Sequence, residues 1–348
     1  MFGVSHDPDR NAGEAEMNSR SFRTLSLISL VMALAAGCAT AAGHAAPSKP
    51  DKADITVAAL PAVDLAGLYI AQNDGLFAQQ GLRVTIKPIA SSQAVIADQL
   101  AGQVDISAGA YVPYISAQAA GARFRILAAA DILAPNAREL VTTADSPVTT
   151  VSALAGKKIG VNGTNSIGTL LISMLLAEHG VSPKKVRFMT DKQGFPDMPG
   201  QLQDGAWDAA FLAEPYITAA AQEYGDQVLA DLDQGGAVNF PIDGYVATGA
   251  WTEKHPKTAA AFVRAIEAGQ AIANHDPPAV RAAMAKVDKL PPQVTATMAL
   301  PAFPVGPVVE PPIQGVAQAM LQSGMLGEGY STEVDRGTLV ESMFPPGL

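Results

Sequence analysis

A single cysteine, Cys38, stands among 348 residues, so no internal disulfide can staple the fold and no cysteine cluster can hold a metal or redox centre. Charge is sparse: 16% of residues, with 23 Lys and Arg against 33 Asp and Glu, for a formal net charge of −10. No basic block interrupts this acidity, which excludes nucleic acid and an anionic membrane surface as partners. HExxH, GxSxG and a cysteine nucleophile are absent. His179 adjoins a helix-ending glycine and His255 precedes a helix, positions that suit capping rather than reactivity. These absences leave no catalytic residue, no metal ligand and no cofactor. Nearly half the chain, 48%, is hydrophobic, which suffices for a large core divided into two compact units.

The start of the chain differs from the rest. Arg20 and Arg23 precede the apolar run LSLISLVMALAA, residues 25–36, then Gly37 and Cys38. That is the layout of an export signal, and the run falls short of the ~20 apolar residues that span a bilayer. Met17 would be a better start than Met1, because residues 1–16 are polar and acidic. AAGC with Leu34 before it resembles the lipobox of bacterial lipoproteins, although the leucine sits one residue further from the cysteine than usual. The expectation is an export signal with lipobox over 1–38, lipidation at Cys38 and a flexible tether over 39–53; secretion with cleavage nearer Ala46 is the alternative.

QLAGQVDISAGAYVP, residues 99–113, returns as QLQDGAWDAAFLAEP, residues 201–215. Each copy reads as a helix ended by glycine (Gly102, Gly205), an Asp three residues later (Asp105, Asp208), and a short buried strand that delivers a loop. The likeness extends outward. DITVAAL, a helical stretch, LRVTIKPI and a second helix lead to the first copy; KKIGV, the helix IGTLLISMLLAEH, VRFM and a short helix lead to the second. Each series is strand, helix, strand, helix, strand at the lengths of parallel βαβ units. The fold class is therefore α/β with two lobes, each a small, mostly parallel sheet flanked by helices. The expected boundaries are 54–142 for the first part of lobe one, 146–240 for lobe two, and 245–348 for lobe one's return strand and C-terminal helices. RELVTTADS, residues 138–146, and the segment from 238 would be extended crossings that form a hinge.

Parallel strands deliver their C-terminal ends to one edge, where ligands settle. The loops there contain Asp64, Ser91, Ser92, Gln93, Tyr111, Asn162, Thr164, Asn165, Ser166, Phe195, Glu214 and Tyr216, the candidate ligand-binding residues. GVNGTNSIGT has glycines at P-loop spacing, but Thr169 stands where lysine is required, so nucleotide binding is excluded. What survives is a helix N-terminus suited to an anion, or simply helix capping. Asp105 and Asp208 read as structural, bonded to nearby backbone N–H groups. No Lys or Arg stands in the Ser91 or Asn162 loop, whereas Asp64 and Glu214 would welcome an ammonium or ring amino group, so an amine-bearing organic ligand is expected over nitrate.

The order of "G-L-F", "G-L-x-V", "G-x-V-D-I" (102–106), "L-x-G-K-K-I-G-V" (154–161) and "W-D-A-A…E-P" (207–215) resembles the solute-binding proteins of the nitrate, sulfonate and taurine class of ABC importers. Their superfamily includes binding proteins for thiamine-pyrimidine precursors. The resemblance implies the type II periplasmic-binding-protein fold with an interlobe cleft. It further implies a monomer, exported and anchored by lipid at the outer face of the cytoplasmic membrane or periplasmic, which hands a sulfonate-, taurine- or aminopyrimidine-like molecule to permease subunits and touches membrane only through its anchor. The alternative is an enzyme acting on a small heterocycle in the same cleft.

Overall fold

The computed structural model describes residues 49–287 and 289–344. The export signal, Cys38 and residues 39–48 of the tether lie outside the described residues. Among the described residues, ten strands form two five-stranded sheets. The first contains β1 (Asp54–Ala59), β2 (Arg83–Pro88), β3 (Ile106–Ala110), β4 (Phe124–Ala129) and β10 (Asp243–Thr248) in the order β2-β1-β3-β10-β4. The second contains β5 (Arg138–Thr142), β6 (Lys158–Val161), β7 (Arg187–Thr190), β8 (Ala209–Ala213) and β9 (Gln227–Asp231) in the order β7-β6-β8-β5-β9.

The two orders superpose. β1 lies between parallel β2 and β3, as β6 lies between parallel β7 and β8. In each sheet the remaining position is filled by a strand that runs antiparallel to both neighbours: β10 between β3 and β4, and β5 between β8 and β9. β5 directly follows lobe one in the chain and β10 directly follows lobe two, so the lobes exchange one strand each. Residues 138–142, expected as an outgoing crossing of lobe one, are thus a strand of the second sheet. RELVT carries two charges, yet all five residues are buried, because Arg138 and Glu139 enter polar surroundings supplied by distant segments.

β3, β5 and β8 are buried throughout, as strands covered on both faces require, while β2 and β7 are sheet edges with exposed positions. Asp105 and Asp208 play the same part in each lobe. Asp105 Oδ2 accepts from the backbone N–H of Thr56 at 2.9 Å, and Asp208 Oδ2 from that of Lys158 at 2.8 Å. Each acid fastens the strand after the helix-ending glycine to the first strand of its own sheet.

The crossings run side by side: Ala130 N–H donates to Asp243 O and Leu133 N–H to Phe240 O, both at 2.9 Å, and Ile132 also bridges Ala302. The long helix Pro256–His275 returns to lobe one, where Gly269 approaches Gly67 of the helix Ala66–Asn73 so closely that a Cβ would lie 2.2 Å from the Gly67 carbonyl oxygen. The C-terminal helices Glu310–Gln322 and Glu333–Glu341 pack against the helix Tyr111–Ala119.

Candidate functional site

Two helix N-termini face each other between the lobes. Ser91 caps the helix Ser92–Leu100, its hydroxyl accepting from Ala94 N–H at 3.2 Å; Ser166 caps Ile167–Glu178, accepting from Thr169 N–H at 3.3 Å. The first N–H groups of such helices have no partner within the helix, and both dipoles present positive ends. The Ser166 loop meets lobe one directly: Asn165 N–H donates to Gln93 Oε1 at 3.2 Å, and Ser116 Oγ, from the helix Tyr111–Ala119, donates to Asn165 Oδ1 at 3.1 Å. A Cβ on Gly163 would stand 3.3 Å from Gln93 Oε1 and 3.7 Å from the Ser91 Cβ, and one on Gly194 would stand 2.6 Å from the Ala90 carbonyl. Ser92 Oγ, in turn, accepts from Ala110 N–H at 2.9 Å.

Ser91, Ser92, Gln93, Asn162, Thr164, Asn165 and Ser166 are therefore gathered at one place from two lobes. Thr164 and Gln93 are exposed; Asn162 is buried, and its Oδ1 has no partner among the described residues. Phe195 and Tyr216 stack with centroids 6.1 Å apart and planes 16° apart, on the lobe-two side. Beyond them a cavity of about 840 Å³ opens on the flank of lobe two, bordered by Asp197, Tyr216, Glu223, Tyr224 and Pro291. It shares Tyr216 with the expected cleft set but includes neither the Ser91 nor the Asn162 loop.

The remaining candidates are placed differently. Tyr111, expected in a loop, opens the helix Tyr111–Ala119 and is fully buried. Glu214 is buried; Oε2 accepts from Thr218 N–H at 3.1 Å, while Oε1 accepts from the Thr218 hydroxyl at 2.7 Å and Ala299 N–H at 3.1 Å. Burial raises its pKa against those hydrogen bonds. Asp64 is buried beneath the cleft, where Arg138 Nη1 donates to its Oδ1. The two acids expected to await an ammonium are thus occupied by the protein's own donors, and the expectation of an amine-bearing ligand loses its acceptors.

Arg138, Asp131 and Asp243 complete a buried cluster around Asp64 that the sequence reading missed. Arg138 Nη2 donates to Asp243 Oδ2 at 3.0 Å and lies 3.8 Å from Asp131 Oδ2. Carboxylate oxygens of Asp64, Asp131 and Asp243 lie within 4.8 Å of one another, the spacing of a metal site, but the guanidinium already stands among them. The available signal was weak: a charged pair opening an otherwise apolar strand, and an Asp at each end of a crossing.

Two α/β sheets of matching order, each lending the other one strand, with helix N-termini opposed across the gap, define the two-lobed periplasmic-binding fold. The chain belongs to the family described as "NMT1/THI5 like", whose model matches residues 62–280. A stretch of 155 residues, 44% of this chain, is 28% identical to the "Putative aliphatic sulfonates-binding protein" of Escherichia coli K12; the match spans about half of that relative, 46% of its length. Among solved structures, the alkanesulfonate-binding protein of Xanthomonas axonopodis pv. citri bound to MOPS matches with a TM-score of 0.68 at 17% identity, covering 80% of this chain and 96% of that one. The periplasmic nitrate-binding protein of Synechocystis PCC 6803 matches with a TM-score of 0.73 at 15% identity, covering 85% and 87%. At these identities the structural matches establish the fold.

Proposed function

We propose that the chain is the extracytoplasmic solute-binding component of an ABC importer and takes a small organic oxyanion of the sulfonate class between its lobes. The observation that carries this reading is the convergence of the Ser91–Gln93 and Asn162–Ser166 loops, each at a helix N-terminus and neither bearing a Lys or Arg. First-turn N–H groups, which lack partners within their own helix, and two dipole ends suit an acceptor-rich head group. The sulfonate-binding name of the Escherichia coli relative supports the same class. Delivery to permease subunits, export, and lipid attachment at Cys38 belong to this reading, and fractionation of Cys38→Ala tests the anchor: a variant as membrane-bound as wild type refutes it.

Titration calorimetry with methanesulfonate, taurine, nitrate and an aminopyrimidine tests the ligand class. Sulfonates should bind and be recovered unchanged. Asn162→Asp, which sets a carboxylate at the buried amide, should weaken them by about tenfold or more through like-charge repulsion. Undiminished sulfonate affinity in the variant, or preference for the aminopyrimidine, overturns the proposal.

A further inference from the structure

Asp64, Asp131, Asp243 and Arg138 are each 2% exposed or less. They come from both sides of the crossings. Arg138 opens β5 of the second sheet, whereas Asp64 lies in the turn after β1, Asp131 follows β4 and Asp243 opens β10, all of the first. The Arg138 side chain thus ties one sheet to three points of the other.

The cluster does not balance with every carboxyl ionised. Three carboxylates face one guanidinium, and no second cation pairs with them among the described residues. Asp64 Oδ2, Asp131 Oδ2 and Asp243 Oδ1 are buried acceptors that receive no hydrogen bond among the described residues. A buried carboxylate oxygen with neither water nor donor is costly, and neutralisation by a proton is the usual remedy. One proton on Asp131 solves both faults: the excess negative charge falls, and an oxygen that could only accept becomes a donor toward its neighbour Asp64. Asp131 Oδ1 stays engaged, accepting from Asp243 N–H at 3.0 Å. A metal ion here would press against the guanidinium; a proton does not.

The groups that face the cluster are consistent with that occupant. Tyr111 from its helix and Tyr245 from β10 present hydroxyls with no partner, and burial together with the Asp131 and Asp243 charges holds both well above the usual phenol range. Tyr69 stands beside Tyr245, and Glu214 is a further acid near Asp64. Burial, then the charges of Asp64 and Asp243, raises Asp131 well above the usual carboxyl range; burial pushes Asp243 up to about 7 against the pull of Arg138.

We propose that the cluster is a proton-dependent clasp between the lobes, which holds Arg138 against the first sheet while one proton is held by Asp131 and Asp243, and loosens when that proton leaves. Loss of the proton adds a buried anion that water can relieve once the crossings part. The sign follows from linkage. Carboxyls that titrate from 3.8 in the unfolded chain but higher in the folded one contribute stability below that value, and the contribution is lost as pH rises through the folded pKa, near 7 for Asp243.

Unfolding of wild type and Asp131→Asn between about pH 5 and 8 tests this, because one extra proton bound by the folded state changes the unfolding constant by up to about tenfold per pH unit. Wild type should lose stability across that range, and Asp131→Asn, whose amide mimics the protonated acid, should lose markedly less. Infrared titration of Glu139→Gln, which lacks the other carboxyl pushed up to about 7, keeps the test independent of the Asp131 variant's folding: a protonated-carboxyl band should still vanish over the same range, together with hydrogen-exchange protection at residues 130–133 and 240–243. Equal pH slopes in the two proteins, no such band at the acidic end, or a band and protection unchanged at the basic end would each overturn the clasp. So would stabilisation of wild type by added calcium or magnesium, which would assign the cluster to a cation.

Discussion

The backbone N–H of Asn165, at the mouth of a lobe-two helix, donates to the side-chain oxygen of Gln93 in lobe one at 3.2 Å. This bond joins the lobes at the loops proposed to hold the ligand, while Arg138 joins them elsewhere. Gln93→Ala should leave the melting temperature nearly unchanged, because the bond is exposed. It should weaken sulfonate binding by about 2- to 13-fold, the equivalent of 0.5–1.5 kcal/mol for one hydrogen bond. Small-angle scattering should show a larger radius of gyration for unliganded Gln93→Ala than for unliganded wild type; equal radii would mean that this bond does not hold the lobes together.

Gly109 tests the placement of Ser92. A Cβ there would lie 2.1 Å from Ser92 Oγ, which accepts from Ala110 N–H. Gly109→Ala should force Ser92 aside, costing about 1–3 kcal/mol by overpacking and weakening ligand binding. Denaturant unfolding beside calorimetry separates the two effects; an unchanged protein would show that the loop yields freely.

Two helical glycines should respond in opposite directions. Gly269→Ala drives a Cβ against the Gly67 carbonyl oxygen and should destabilise by about 1–3 kcal/mol. Gly315 lies exposed within Glu310–Gln322, with nothing within 4 Å of its Cβ position. Gly315→Ala should stabilise by about 0.5–1 kcal/mol through lower unfolded-chain entropy. Thermal unfolding of both variants under one buffer condition decides.

Glu139 is buried with Oε2 lacking a partner, and burial, then the charges of Asp231 and Glu214, pushes it up to about 7. Its contribution is favourable below the ordinary value of 4.5 and is lost as pH rises through about 7. Glu139→Gln should therefore be more stable than wild type by roughly 1 kcal/mol at about pH 8, and the advantage should shrink toward pH 5. Urea unfolding at the two pH values measures the difference; an advantage independent of pH would remove the carboxyl as its cause.

Much of the architecture was written locally. The repeated Gly102-x-x-Asp105 and Gly205-x-x-Asp208 segments announced two like sheets, because glycine at positive φ ends a helix and an Asp beyond it finds a backbone N–H close at hand. The opposed Ser91 and Ser166 caps were legible for the same reason: capping involves atoms within three residues. The exchanged strands were not. β5 and β10 are recognised as members of the opposite sheet only once their ladder partners are in place. Nor could one sequence tell that Asp64 meets Arg138, 74 residues away, or that Arg138 meets Asp243, 105 residues away. A carboxylate in a loop looks available until tertiary packing removes its water and supplies a distant cation. Hydrophobic period, glycine and cap are properties of a few consecutive residues, whereas the state of a buried charge depends on which remote groups the chain topology brings against it.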